Sequence, residues 1–125
     1  MVIDSNILIY AAEPREAFLS RWVEDPAACL ASVSRIEVLG FPRWNALDEG
    51  RKAKLEALVG AMLQLPLDPA VVARAVELRR QRKMSLADAI VAATALERGM
   101  ELVTRNEQDF QHITGLRLVN PFEQS

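Results

Sequence analysis

Cysteine is nearly absent from this chain. Cys29 is the one thiol in 125 residues, so no internal disulfide can form, and the composition suits a reducing cytoplasm. Its neighbours Ala27, Ala28, Leu30 and Ala31 mark it as a small apolar core residue. Histidine is equally scarce. His112 stands alone and far in sequence from Cys29, which leaves zinc without its preferred nitrogen and sulfur ligands. No apolar run reaches the roughly 18 residues that cross a bilayer, so no membrane partner is expected. Met1 leads straight into Val2-Ile3-Asp4 without a basic flank or cleavage site, and no signal peptide is expected. Low-complexity stretches, internal repeats and linkers are also missing.

What remains is the composition of a folded globule. Half the residues are hydrophobic, which argues against disorder. A chain of this length buries about two-thirds of its unfolded surface and is expected to form one domain over residues 1–125. The net charge of −2 is unlike the basic balance usual for nucleic-acid binders, but its distribution matters more. Setting aside the four acids singled out below leaves thirteen of 17 acids against 15 bases, a remainder of about +2. The clusters Arg79, Arg80, Arg82, Lys83 and Arg51, Lys52, Lys54 read as solvated helix faces or, equally, as surfaces that tolerate a polyanion.

The order of elements alternates. Residues 1–4 read as a buried strand, followed by a turn or short helix over 5–12. Pro14 opens a helix expected to run to Glu24, until Asp25-Pro26 breaks it. A strand over 27–32 precedes a helix from Ser34 that Pro42 should end or kink. The segment 47–62 is amphipathic, with Leu55, Leu58, Val59 and Met62 at helical spacing. A strand over 63–67 follows. Pro69 to Lys83 reads as a helix with Val72, Ala75, Val76 and Arg79 on adjacent faces, and Ser85 to Arg98 as another, stopped by Gly99. Strands over 101–104 and 116–119 end the series. Short apolar strands separated by helices predict a parallel sheet covered on both faces, in doubly wound α/β order.

Four acids stand at the ends of these core elements. Asp4 ends the first strand, Glu37 lies near the start of a helix, Asp88 opens the very apolar run Ala89-Ile90-Val91-Ala92-Ala93, and Asp109 follows the strand ending at Thr104. In open α/β sheets, ligands collect beyond the carboxyl ends of the strands, so positions spread over the whole chain can converge there. Each acid also has a purely structural reading. Ser34-x-x-Glu37 and Ser85-x-x-Asp88 match a capping box, Asn106-x-x-Asp109 is a looser version, and Asp4-Ser5-Asn6 suits an Asx turn. The two readings are compatible, because a cap fixes the rotamer that a metal ligand needs.

The strand ending Asp4-Ser5-Asn6, then Glu37, Leu86-Ala87-Asp88-Ala89-Ile90, and the tail Leu102-Val103-Thr104-Arg105-Asn106-Glu107-Gln108-Asp109-Phe110 together resemble the PIN-domain ribonucleases. Among these, the size and the lack of extra domains resemble the VapC-type toxins of bacterial toxin–antitoxin pairs. The resemblance covers Val2 to about Pro121. It implies a single PIN domain with a three-layer α/β sandwich, an RNA substrate, a cognate antitoxin protein and a homodimer. Residue by residue, Asp4, Glu37, Asp88 and Asp109 match the family's acidic quartet, with Asn6 and Thr104 matching the polar residues that support it. Some members carry an acid where Asn106 stands. Here an amide occupies that place, so Asp109 takes the fourth role and Asn106 that of a neutral ligand or water-holder.

The chemistry follows from the residue types. Four carboxylates in one pocket must take up protons or bind a cation. An all-oxygen ligand set suits Mg²⁺, with Mn²⁺ as substitute, held as one or two ions. Asp4 and Asp88 are expected to contact the metal, Glu37 to orient or deprotonate the attacking water, and Asp109 to hold a second ion or its waters. Arg35, Arg43 and Arg105 lie near site acids in sequence and can bind flanking phosphates, or pair within the fold. Trp44 reads as a base-stacking platform or, more simply, as a core or dimer-interface aromatic; Trp22 reads as core. A scaffold of the same fold that binds RNA or protein without cutting is the alternative. A phosphotransfer protein is disfavoured, because position 6 is Asn where a phosphatase needs an acid.

Overall fold

The computed structural model describes residues 1–123. Five strands are found there, all parallel: β1 Val2–Ile3, β2 Cys29–Ala31, β3 Leu63–Leu65, β4 Leu102–Val103 and β5 Leu118–Val119, in the order β3-β2-β1-β4-β5. The chain winds outward from β1 through β2 to β3, then crosses back to β4 and β5. The winding therefore reverses between β1 and β4, where an α/β sheet opens its ligand crevice. Val2 pairs with both Cys29 and Leu102, and Ile3 pairs with Val103, so β1 is the central strand.

Side chains alternate across this sheet, as a period of two requires. Val2, Cys29, Ala31, Leu65 and Leu102 point into one core, shared with helices α5 (Pro69–Gln81) and α6 (Leu86–Arg98). Ile3, Leu30 and Val103 point into the other, shared with α1 (Ser5–Ala11), α2 (Ser20–Val23), α3 (Ser32–Leu39) and α4 (Glu49–Ala61). The inner strands β1, β2 and β4 are covered on both faces, which is why they read as unbroken apolar runs rather than alternating ones; edge strand β3 keeps Leu63 and Gln64 exposed. The doubly wound, helix-covered parallel sheet expected from the sequence is the architecture found.

Several local expectations need correction. Every strand is shorter than its apolar run, because only two or three residues pair before the chain bends into a helix or turn. Pro14 does not open a continuous helix. Residues Pro14–Leu19 form a 3-10 turn with a kink at Glu16 (φ −103, ψ 28), and only Ser20–Val23 is α-helical. Helix α3 begins at Ser32 instead of Ser34 and ends at Leu39, with Gly40 after it and short of Pro42. Helix α5 ends at Gln81, and its buried stripe is Val71, Ala75 and Leu78, while Val72 and Val76 face outward. Leu55, Leu58, Val59 and Met62 are buried as expected. Gly99 closes α6 in the left-handed region at φ +63, a conformation that glycine adopts without the Cβ clash.

Candidate active site

Asp4 leaves β1 and serves as the residue before the first turn of α1. Its amide donates to the Val103 carbonyl at 2.9 Å, which carries the β1–β4 pairing one step past the strand and sets Asp4 beside Thr104. The Thr104 hydroxyl donates to Asp4 Oδ2 at 2.8 Å and accepts from the Asn106 amide at 3.0 Å. Both side chains are buried, Asp4 at 5% exposure and Thr104 at none. Glu37 comes from α3, half-buried, and its Oε1 accepts a 3.0 Å hydrogen bond from the Ser5 hydroxyl at the start of α1. Asp88 lies in the first turn of α6, where its amide donates to Ser85 Oγ at 3.1 Å. Asp109 is exposed on the 3-10 turn Glu107–Asp109.

Electrostatics ties these acids together. Burial pushes the Asp4 carboxyl up from 3.8 to about 6, against the Thr104 hydrogen bond that lowers it, and the negative charges of Asp88 and Glu37 raise it further. Asp88 is also raised, first by burial and then by Asp109 and Glu37, with the Ser85 hydroxyl opposing. Asp4 thus feels Asp88 and Glu37, while Asp88 feels Glu37 and Asp109. The four expected acids share one neighbourhood. None of them joins an ion pair among the described residues, so no described cationic side chain is paired with them. Like charges clustered without compensation favour protonation or a bound cation.

The donor set fits a hard divalent ion. Around these acids stand oxygen donors, the carboxylates themselves and the Thr104 and Ser5 hydroxyls bonded to them; Asn6 Oδ1, two residues after Asp4 on α1, is buried and has no hydrogen-bond partner among the described residues. A donor set dominated by carboxylate and hydroxyl oxygens matches Mg²⁺ or Mn²⁺ better than zinc. No group of three described His, Cys, Asp or Glu side chains stands in ready ligand geometry.

The supporting residues behave unequally. Asn106 engages through its backbone amide, and its side chain is exposed. Arg105 lays its guanidinium over Phe122 at 4.1 Å and Tyr10 at 4.9 Å, and it borders a hollow of about 500 Å³ with Asn106, Glu107 and Asp109. Arg35 lines a separate hollow with Trp44 and Glu56, which contains none of the four acids. Arg43 is exposed just ahead of the turn Trp44–Ala46. Of the three arginines, Arg105 shares a hollow with a site acid, Asp109. Trp22 and Trp44 are half-buried and pack against the α1–α4 core.

The capping expectation splits. Ser85 does cap α6, but Ser34 caps nothing: Ala31 holds that position in α3, and Ser34 Oγ is buried within the helix with no partner among the described residues. The looser version also fails, since Asn106 makes no side-chain cap to its turn. Two features escaped the sequence reading. Ser5 was visible within Asp4-Ser5-Asn6, yet only the approach of α1 to α3 gives it Glu37 as partner. Arg82, Lys83 and His112 border a second hollow with Asp88 and Asp109. The basic run was evident in the sequence; its position beside the acids was not.

Comparison with known proteins gives a consistent family. The family model described as PIN domain matches residues 1–116. A relative from Shigella flexneri, the tRNA(fMet)-specific endonuclease VapC, is 27% identical over 123 residues, covering 93% of each chain. Among solved structures, a toxin–antitoxin complex from Klebsiella pneumoniae has a similar chain, at 28% identity and TM-score 0.76, with 98% of each chain covered. A DNA-bound VapBC from Salmonella typhimurium shares the fold at 18% identity, TM-score 0.77 and 96% coverage of each chain.

Proposed function

The chain belongs to the PIN-domain family, and from that membership we propose that it is a divalent-metal-dependent endoribonuclease of the VapC type, the toxin of a toxin–antitoxin pair. The observation that carries this reading is the mutual electrostatic influence of Asp4, Glu37, Asp88 and Asp109, drawn from four separate elements and unrelieved by any ion pair among the described residues. A single functional domain over residues 1–125, an RNA substrate, a cognate antitoxin, a homodimer and a cytoplasmic setting belong to the same proposal. The similarity to the Shigella flexneri and Klebsiella pneumoniae proteins supports it. So does the lack of any described helix long and apolar enough to cross a membrane.

In this mechanism Asp4, Asp88 and Asp109 would hold Mg²⁺, or Mn²⁺ in its place, as one or two ions. When bound, the ion supplies Lewis acidity, lowering the pKa of water and shielding charge that builds on a phosphate oxygen. Thr104 fixes the rotamer of Asp4 and presents its carboxylate in one orientation. Glu37, held by Ser5, orients the attacking water and accepts its proton. Asn6 offers its unpartnered oxygen to a water of the site, and Asn106 keeps Thr104 aimed through its amide.

The test is cleavage of single-stranded and structured RNA by the purified protein. Activity is expected with Mg²⁺ or Mn²⁺, loss on EDTA treatment, and loss in Asp88→Asn with an unchanged circular dichroism spectrum. Full cleavage by Asp88→Asn overturns the site assignment. RNA binding with no cleavage under any divalent ion points instead to the non-cutting scaffold.

A further inference from the structure

Two hollows of unlike chemistry meet at Gln108 and Asp109, the ridge that both share, and Asp88 borders one of them. One hollow, of about 500 Å³, holds Arg105 together with the carboxylates of Glu107 and Glu123. Arg105 is already engaged there with the rings of Phe122 and Tyr10. The other hollow, of about 490 Å³, is bordered by Arg82, Lys83, Ser85, Asp88, Asp109 and His112. Neither the Arg82 nor the Lys83 side chain makes a hydrogen bond or ion pair among the described residues, while the side chains of Arg51, Lys52, Arg74 and Arg98 all sit in ion pairs.

Two further observations make this second hollow a built feature. Arg79, on the last turn of α5, donates through Nε to the Met84 carbonyl at 3.3 Å. This bond ties the extended segment after α5 (Arg82 φ −161, ψ 149) to the helix behind it. The two free cations are thus presented from a tethered strap. His112 also lines this hollow, and both of its ring nitrogens are buried and lack a partner among the described residues. A buried imidazole without a hydrogen bond is costly, and an anion entering the hollow would relieve it.

We propose that Arg82, Lys83 and His112 form a backbone-phosphate subsite that holds the nucleotide adjoining the cleaved bond, so that single-stranded RNA crosses the acidic ridge with its phosphates on the α5–α6 side. The inference rests on the ribonuclease reading above and adds the direction in which the strand lies. The hollow beside Arg105, with its two glutamates, repels phosphate and takes the opposite flank. Guanidinium and ammonium groups bind phosphate oxygens through charge-assisted hydrogen bonds, without reading the base. The subsite therefore sets affinity and register but not sequence preference.

The probe is a short single-stranded RNA of mixed sequence, bound to protein carrying Asp4→Asn so that it stays uncut, and followed by fluorescence anisotropy across a salt series. Arg82→Ala with Lys83→Ala is expected to weaken binding about tenfold and to flatten the salt dependence by about 0.7 for each phosphate left without a cation. Both residues are exposed, so the fold is retained. In otherwise native protein the pair should raise KM about tenfold with kcat nearly unchanged. His112→Gln should weaken binding less, and Arg105→Ala least of all. Unchanged affinity and salt slope in the double variant, with native protein cutting RNA normally, overturns the subsite alone. Native protein that neither binds nor cuts RNA overturns the ribonuclease reading and the subsite with it.

Discussion

Thr104 Oγ1 donates a 2.8 Å hydrogen bond to Asp4 Oδ2 across a sequence separation of 100 residues, and the same oxygen accepts the Asn106 amide at 3.0 Å. The relay leaves the threonine hydroxyl one possible direction for its proton, toward Asp4. Asp4 consequently has Oδ2 committed to Thr104, which fixes the orientation of its carboxylate. The pairing of β1 with β4 places these two residues side by side, so the geometry of the central sheet is transmitted directly to the carboxylate.

Replacing Thr104 with Val keeps the shape and removes the donor. Partners that orient a metal ligand are typically worth about 10–100-fold in metal affinity or activity, and a loss in that range is expected here. The check is a Mg²⁺ titration of RNA cleavage: the half-saturating concentration should rise, and excess Mg²⁺ should restore part of the rate. Thr104→Ser should remain close to native. A Val variant with native Mg²⁺ dependence would falsify the orienting role.

Asp4 should cost the metal-free protein stability at the pH where it works. Its folded-state pKa of about 6 lies above the ordinary value of 3.8. Between these values the folded protein keeps a proton that the unfolded chain has released. The stabilisation is fully present below about pH 3.8 and is lost as pH rises through 6, with the neutral buried carboxyl giving way to a charged one. Asp4→Asn removes that charge and still accepts from Thr104. In EDTA at about pH 8 the variant should therefore melt about 3 °C or more above native protein, and near pH 4 the difference should vanish. It should also be inactive on RNA. Lower melting of Asp4→Asn at the higher pH contradicts the burial argument.

Proton and metal compete for the same oxygens, and binding must release what protonation has placed there. Mg²⁺ affinity is expected to be flat well above pH 6 and to fall as pH drops through it, following the raised Asp4 value. Asp88, raised as well, steepens the fall. Calorimetry in two buffers of different ionisation heat measures the released protons directly. Release should be clear near pH 6 and absent near pH 8; equal heats in both buffers at the lower pH count against Asp4 as a ligand.

The sheet and the convergence of acids were legible because apolar runs and chain order decide them: strands buried on both faces have no polar alternation to hide them, and the winding order places their carboxyl ends together. What was not legible depends on contacts between elements. Val72 and Val76 share the helical spacing of α5 with Val71, Ala75 and Leu78, and periodicity alone does not say which stripe faces the sheet. The start of α3 was misplaced because Ser32 and Ser34 both suit a helix opening. The chain turns directly from β2 into the helix, with Ala31 still extended (φ −64, ψ 143). Ser32 Oγ then donates across to the Leu65 carbonyl at 3.0 Å, and Ser34 is carried into the interior. Glu37 reached the site regardless, through Ser5 on another helix.

That difference between two identical-looking serine motifs can be measured. Ser85 Oγ accepts the Asp88 amide at 3.1 Å and caps α6, so Ser85→Ala should cost about 1 kcal/mol of folding stability. Ser34 Oγ is buried and partnerless among the described residues, so the native protein already bears the desolvation of that hydroxyl. Ser34→Ala removes the hydroxyl and leaves a cavity no larger than one oxygen, and its stability should equal or exceed the native value. Urea denaturation of both variants, with m-values compared to exclude a change in the unfolded state, decides the matter. A Ser34→Ala loss as large as that of Ser85→Ala would show that the hydroxyl of Ser34 is satisfied in solution, by water or by a carbonyl of the preceding turn.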